Sequence, residues 1–184
     1  MIRMNGNDAD VLLKGAKRLD RVVLSQVFDA FFASIYSYVI FRIGDPQVSA
    51  QLAGQVFVDL LESLSKRGEP TRNLIGWLYQ TADSLVQDYL HTVVFEMSSE
   101  EAASELTSET GFEAKTTTGI MHYRLQAIFQ TLSPEYQHIL ALRFSGQRSI
   151  EEIGQILSKS PKTVKELQFE ALKALQQALH ARVR

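Results

Sequence analysis

The stretch that decides the fold is SIEEIGQILSKSPKTVKELQFEALKAL, residues 149–175. Ser149 and Glu152 have the spacing of a capping box, which predicts that a short helix begins there. Ser160 followed by Pro161 repeats a cap-then-proline signal and predicts a second, longer helix. A short helix, a tight turn and a longer helix form the pattern of a helix-turn-helix, which places its second helix in a DNA groove.

The second of these helices has a mixed set of side chains on its outer faces. Its apolar stripe runs through residues 164–179 and should be buried, because these positions recur with the helical period. The predicted outer positions are Lys162, Thr163, Lys165, Glu166, Phe169, Glu170 and Lys173. Lysines of this kind can contact phosphate, and Thr163 or Lys165 can meet base edges near the helix start. The alternative is a hairpin that only packs, with a solvated charged face.

Composition sets the broad class of the protein. The 184 residues are 45% hydrophobic, with a net charge of −2, as in an ordinary globular protein. The absence of cysteine excludes disulfides and thiolate chemistry, and the four histidines lack the spacing of a metal site. The sequence has no uninterrupted apolar run of about 18 residues and no signal-peptide pattern at its start. We therefore expect a cytoplasmic protein without a membrane span, a metal or a cofactor.

Charge is distributed unevenly and suggests two domains. Residues 96–118 contain six acidic residues and one basic residue, and almost no large apolar groups. Such a segment buries too little surface to offset the entropy of ordering, so it is interpreted as an acidic linker. It separates a first domain, residues 1–95, from a second, residues 119–184. The second has nine basic and five acidic residues, the mild positive bias of a nucleic-acid module.

Both domains are predicted to be helical, so the expected fold class is all-α. The first domain has four amphipathic segments, of which the second ends at Gly44 and Asp45 and the third begins at Pro46. The apolar stripe of each helix must pack against that of another, which predicts a helical bundle. The second domain adds a helix over residues 119–132 and another that begins at Pro134. The four segments of the first domain are VLLKGAKRL, QVFDAFFASIYSYVIFRI, PQVSAQLAGQVFVDLLESLSKRG and TRNLIGWLYQTADSLVQDYLHTVV.

Two stretches carry a resemblance to a known family. LSPEYQHILALRFSGQRSIEEIGQILSKSPKTVKELQFEALKAL resembles region 4 of bacterial extracytoplasmic-function sigma factors, which are transcription-initiation subunits of RNA polymerase. IYSYVIFRIGDPQVSAQLAGQVFVDLLESL followed by GWLYQTADSLVQDYL resembles their region 2. The two occur in the order that the family requires, and the resemblance covers about residues 10 to 180.

The resemblance implies three partners: core RNA polymerase, promoter DNA and an anti-sigma factor. In the family, the first domain binds the polymerase clamp and captures the melted −10 element, and the second reads the −35 element as a duplex. The matching polymerase-binding positions are Gln51, Leu52, Gln55 and Val56. The matching −10 positions are Gln80, Ser84 and Asp88, and the −35 positions are Lys162, Thr163, Lys165, Glu166, Phe169 and Lys173.

Several positions depart from the family's usual residues. Acidic residues of the clamp-binding helix are replaced by Ala50, Gln51 and Gln55, which should weaken steering to the polymerase. Basic residues of the −10 helix are missing, and Asp83 is expected to lie near phosphate and repel it. Trp77 is interpreted as a core residue rather than a platform for a base.

These observations favour a sigma factor that directs transcription initiation. A second hypothesis is a sigma-like regulator that acts through protein–protein contacts with polymerase or an anti-sigma factor and has lost autonomous promoter binding. An enzyme is the third class, and it lacks support because the sequence has no phosphate loop, nucleophile motif or metal cluster. We expect no small-molecule substrate.

Overall fold

The computed structural model describes residues 6–66, 73–98, 127–146 and 148–181. Within these ranges every regular element is helical and there are no strands, which confirms the all-α prediction. The helices are α1 (Gly6–Ala16), α2 (Arg21–Ile43), α3 (Pro46–Ser65), α4 (Leu74–Ser98), α5 (Pro134–Phe144), α6 (Ile150–Leu157) and α7 (Pro161–Ala181).

Short polar caps set the boundaries of α2 and α3. The Asp20 side chain accepts hydrogen bonds from the backbone at the start of α2, which begins five residues earlier than predicted. Gly44 ends α2 with a φ of 85°, a left-handed conformation that glycine adopts without a steric penalty. Asp45 then caps α3, and Pro46 occupies its first turn as predicted.

The first half of the molecule, residues 6–98, is a bundle of four helices around α2. One stripe of α2 is fully or almost fully buried, and it consists of Val27, Phe31, Ile35, Tyr38 and Val39. By length and composition α2 could cross a membrane, but α1, α3 and α4 all pack against it. Its Arg42 is also 1% exposed and paired with a carboxylate, so we interpret α2 as the central helix of the bundle.

The second half, residues 127–181, is the predicted helix-turn-helix with α5 behind it. The capping box at the start of α6 is confirmed, because Glu152 N–H donates to Ser149 Oγ and Ser149 N–H donates to Glu152 Oε2. Ser158 ends α6 with a φ of 53°, the left-handed conformation expected to be unfavourable for a residue other than glycine. α7 then packs across both α5 and α6.

Gly154 allows the turn of the helix-turn-helix to close. A Cβ added at Gly154 would lie 2.8 Å from the carbonyl oxygen of Lys159, closer than real Cβ atoms approach. The Lys159 N–H also donates to the Gly154 carbonyl at 2.9 Å. The chain can therefore fold back at this distance only where no side chain intervenes.

The two halves share one continuous hydrophobic core. α6 lies against α4, α5 lies against α2, and the Phe41 and Phe129 rings meet edge to face at 5.1 Å. α4 continues to Ser98, three residues beyond the predicted end of the first domain. The rest of the predicted acidic linker, residues 99–118, and most of the helix predicted for 119–132 lie outside the described residues.

Candidate nucleic-acid interface

The start of α7 is organised by its cap. The Thr163 N–H donates to Ser160 Oγ at 3.1 Å, and the two side-chain hydroxyls lie 2.8 Å apart. Thr163 is half-buried, and its hydroxyl already has a partner, whereas Lys162 and Lys165 are exposed. Of the residues predicted near the helix start, the two lysines are therefore the more accessible.

Acidic neighbours reduce the positive charge of the α7 surface. Lys162 Nζ lies 4.0 Å from Glu166 Oε1, and both side chains are largely exposed. The pKa of Glu151 lies below its usual value. The main cause is a hydrogen bond from its own backbone, followed by one from Ser149 and by the charge of Lys165. Contacts between exposed charges are weak and screened by salt, so they compete poorly with a phosphate.

The middle of the α7 outer face is apolar and accessible. Phe169 is 65% exposed, and Leu172 next to it is also exposed. Glu170 and Lys173 complete this face, and both are exposed. The predicted reading face of α7 is thus exposed except for the half-buried Thr163. The stripe predicted to be buried is only partly so, because Val164 and Ala171 are buried but Leu172 and Leu179 are exposed.

The predicted −10 residues form a row along α4. Gln80, Ser84 and Asp88 are four residues apart and all are exposed, as the helical period requires. The Gln80 side chain contacts the second half, because its Nε2 donates to the Ile156 carbonyl at 3.3 Å. Trp77 is half-buried and packs against the hydrophobic core, in agreement with its interpretation as a core residue.

Asp83 corrects the sequence interpretation. Its carboxylate does not lie free beside a phosphate path, because Oδ1 is 2.6 Å from Arg42 Nη1 and 2.9 Å from His138 Nδ1. The Tyr38 hydroxyl donates to the same oxygen at 2.9 Å, and Gln87 donates to Oδ2 at 2.6 Å. Asp83 is therefore the centre of a polar cluster that joins α2, α4 and α5.

The surroundings of Asp83 favour its ionised form. Burial alone would raise the pKa of Asp83, but hydrogen bonds and positive charge from His138 and Arg42 outweigh it and hold the pKa well below the usual range. Burial also raises the pKa of Tyr38, which keeps its hydroxyl protonated as a donor. The cluster thus contains a carboxylate that is charged at neutral pH.

The predicted polymerase-binding residues divide by exposure. Gln51 and Gln55 are exposed on α3, and Leu52 is half-buried. Val56 is fully buried in the core, so the prediction that it contacts polymerase directly is not supported by this packing. Gln55 Nε2 donates to Asp59 Oδ1 at 2.7 Å, so an acidic group remains at this surface one turn further along.

Sequence reasoning missed the residues that connect the halves. Asn73 Nδ2 donates to the Gln155 carbonyl at 2.9 Å, and Arg148 donates to the Tyr79 hydroxyl at 3.2 Å. These partners are about 70 to 80 residues apart in the chain, and helical periodicity carries no information about such pairs. Gly154 had a possible signal, since an internal glycine in a short helix suggests close packing.

Comparisons with known proteins agree with this architecture. The family described as Sigma-70, region 4 matches residues 128–177. The ECF RNA polymerase sigma factor BldN of Streptomyces coelicolor is 22% identical over 170 residues, which cover 91% of this chain. The match spans 64% of the length of that relative.

A solved structure has the same fold. The structure of CnrH in complex with the cytosolic domain of CnrY superposes with a TM-score of 0.64 at 16% sequence identity. The superposition covers 94% of this chain and 97% of that one, so the arrangement of both halves is shared.

Proposed function

We propose that the chain is a sigma factor of the extracytoplasmic-function type and that it directs RNA polymerase to promoters; the match of residues 128–177 to Sigma-70, region 4 and the similarity to BldN support this proposal. In this proposal the first half binds core polymerase through the α3 surface and accepts the opened −10 element on α4. The second half binds the −35 element as a duplex through α7. Since sigma factors in general are not enzymes, the role is one of binding and positioning, in the cytoplasm where polymerase acts.

The observation that carries the proposal is the position of the α7 outer face. Its lysines are exposed on the second helix of a helix-turn-helix, in the segment that matches region 4. A helix in this position enters the major groove with its first turns, where Lys162 and Lys165 lie. The exposed Phe169 can contact the methyl group of thymine, and Lys173 can contact phosphate further along.

The −10 and polymerase residues are part of the same proposal. Gln80, Ser84 and Asp88 would meet opened bases through hydrogen bonds rather than through charge. Gln51, Leu52 and Gln55 would contact the polymerase clamp. We further propose that residues 96–118 connect the two domains and that an anti-sigma factor controls the protein; CnrH, which shares this fold, was solved in complex with the cytosolic domain of CnrY.

Binding to purified core polymerase tests the proposal. The tagged chain should retain core polymerase, and the complex should enrich a shared motif from a random duplex pool that core polymerase alone does not enrich. Lys162→Ala/Lys165→Ala should retain polymerase and lose enrichment. A complex that retains polymerase but enriches no motif would instead support the sigma-like regulator, and failure to retain polymerase would contradict the proposal that the chain is a sigma factor.

A further inference from the structure

The outer face of α7 has one large apolar side chain at its centre. Phe169 is 65% exposed, more than any other phenylalanine among the described residues. Lys165 and Lys173 lie one turn before and one turn after it, and Lys162 lies seven residues before it, so the helical period places all three lysines on the same side of α7. A side chain this exposed buries little apolar surface within the protein, so the packing of α7 does not explain why a phenylalanine occupies this position.

These neighbours indicate what Phe169 would meet if α7 lies in a major groove. Contacts from lysines to phosphates fix the position of a protein on DNA without selecting a sequence. With phosphates held by Lys165 and Lys173 on either side, the Phe169 ring would be directed at the edges of the bases. The ring has no hydrogen-bonding group, and the apolar feature of those edges is the C5-methyl group of thymine. Phe169 is therefore suited to thymine rather than to the other three bases.

Glu166 lies three residues before Phe169, on the adjoining part of the same face. Its Oε1 atom is 4.0 Å from Lys162 Nζ, and because both side chains are largely exposed, this weak pair leaves the carboxylate able to contact DNA. A carboxylate only accepts hydrogen bonds, so it matches the exocyclic amine of cytosine or adenine and is repelled by O6 and N7 of guanine. Three residues span about 4.5 Å of a helix and neighbouring base pairs are about 3.4 Å apart. Glu166 and Phe169 would therefore contact the same base pair or adjacent ones.

We propose that Phe169 and Glu166 determine the base preference of the −35 element. The methyl group of a thymine packs against Phe169, and the amine of a cytosine or adenine, at most one base pair away, donates to Glu166, which rejects guanine there. The inference rests on the proposed function, because it takes α7 as the helix that enters the duplex. The lysines supply affinity for any sequence, whereas these two residues supply the discrimination between sequences.

Replacement of thymine by uracil tests the Phe169 contact, because uracil lacks only the methyl group. A duplex selected by the complex of the chain with core polymerase is prepared with uracil at each thymine of the −35 element in turn. At one position the loss of the methyl group should weaken binding about fourfold, the value of one buried methyl group. With Phe169→Ala, thymine and uracil at that position should bind equally. Phe144→Ala is the matched control, because Phe144 is also exposed but lies on α5, and this variant should keep the preference for thymine.

Selection from a random duplex pool with Glu166→Ala tests the second contact. Guanine should become accepted at one position, at most one base pair from that thymine, and the rest of the motif should stay the same.

Three results would overturn the inference and leave the proposed function intact: no effect of uracil at any thymine, a preference for thymine that survives Phe169→Ala, or an unchanged motif with Glu166→Ala. Loss of polymerase retention by Phe169→Ala would also overturn it, because the ring would then contact protein rather than DNA. If the unmodified chain with polymerase selects no motif, the proposed function fails and this inference fails with it.

Discussion

Asp83 joins α2, α4 and α5 through an ion pair and hydrogen bonds. The substitution Asp83→Asn removes the charge that pairs with Arg42, a guanidinium only 1% exposed. Breaking a buried ion pair from one side typically costs about 3–5 kcal/mol of stability. We expect a loss of this order in the free energy of unfolding, measured by urea denaturation. Asp88→Asn is the matched control, because Asp88 is exposed on the same helix and should change stability by less than about 0.5 kcal/mol.

Acid should reproduce this loss in the unmodified protein. The pKa of Asp83 is lowered in the folded state, so its contribution to stability is present above the ordinary aspartate pKa of about 3.9 and is lost as the pH falls below it. The free energy of unfolding should therefore fall more steeply below about pH 4 in the unmodified chain than in Asp83→Asn. Parallel pH profiles would contradict the assignment of a charged Asp83.

Gly154 and Ser158 should respond to substitution in opposite directions. Gly154→Ala places a methyl group 2.8 Å from a backbone carbonyl and should destabilise the helix-turn-helix by about 1–3 kcal/mol. Ser158→Gly relieves a left-handed conformation and should stabilise it by up to about 1 kcal/mol. Melting temperatures of the two variants should bracket that of the unmodified chain. Equal shifts in one direction would show that the turn does not have this geometry.

The helix α7 should bind DNA mainly through its lysines. Each of Lys162→Ala, Lys165→Ala and Lys173→Ala should reduce the slope of log affinity against log salt by about 0.9 if the lysine contacts a phosphate. Lys66→Ala is the control, since Lys66 lies on the first half and pairs with Glu62. The slope is obtained from the affinity of the polymerase complex for a selected duplex, measured at several salt concentrations. An unchanged slope in all three variants would exclude α7 as the DNA-contacting helix.

Helices were predictable where capping residues and proline mark their ends. Pro46, Pro134 and Pro161 each lie at the predicted start of a helix, and the Ser149 capping box has both of its hydrogen bonds. The starts of α1 and α2 were predicted five residues too late, at 11 and 26 instead of Gly6 and Arg21. At α2, the cap Asp20 precedes five residues that the predicted segment left out. Local signals thus specify most elements, and the errors occur at their ends.

Contacts between distant elements could not be predicted in the same way. Asp83 looked like a residue unsuited to a DNA surface, and only its distance from Arg42 and His138 identifies it as part of a buried cluster. Val56 fits the sequence pattern of a polymerase-binding helix but points into the core. Helical periodicity distinguishes an inner from an outer face, but it does not identify the partner of either face.

The two halves together fit the proposed role of a protein that binds and positions other molecules. One half offers exposed polar rows on α3 and α4, and the other offers the lysine-bearing face of α7. Each surface is weakly charged, so its affinity alone should be modest. Once the chain is bound to polymerase, its contacts with promoter DNA would become intramolecular and their effective concentration would rise. Surfaces that bind DNA weakly on their own would then be sufficient for promoter binding.

Transcription from a genomic fragment library with purified core polymerase tests the central claim most directly. With the chain added, we expect new transcripts whose start sites share two upstream elements at a fixed spacing. Lys162→Glu/Lys165→Glu should abolish these transcripts while the variant still binds polymerase. If the added chain produces no new start site, or if the reversed charges on α7 leave the new start sites unaffected, the account is contradicted.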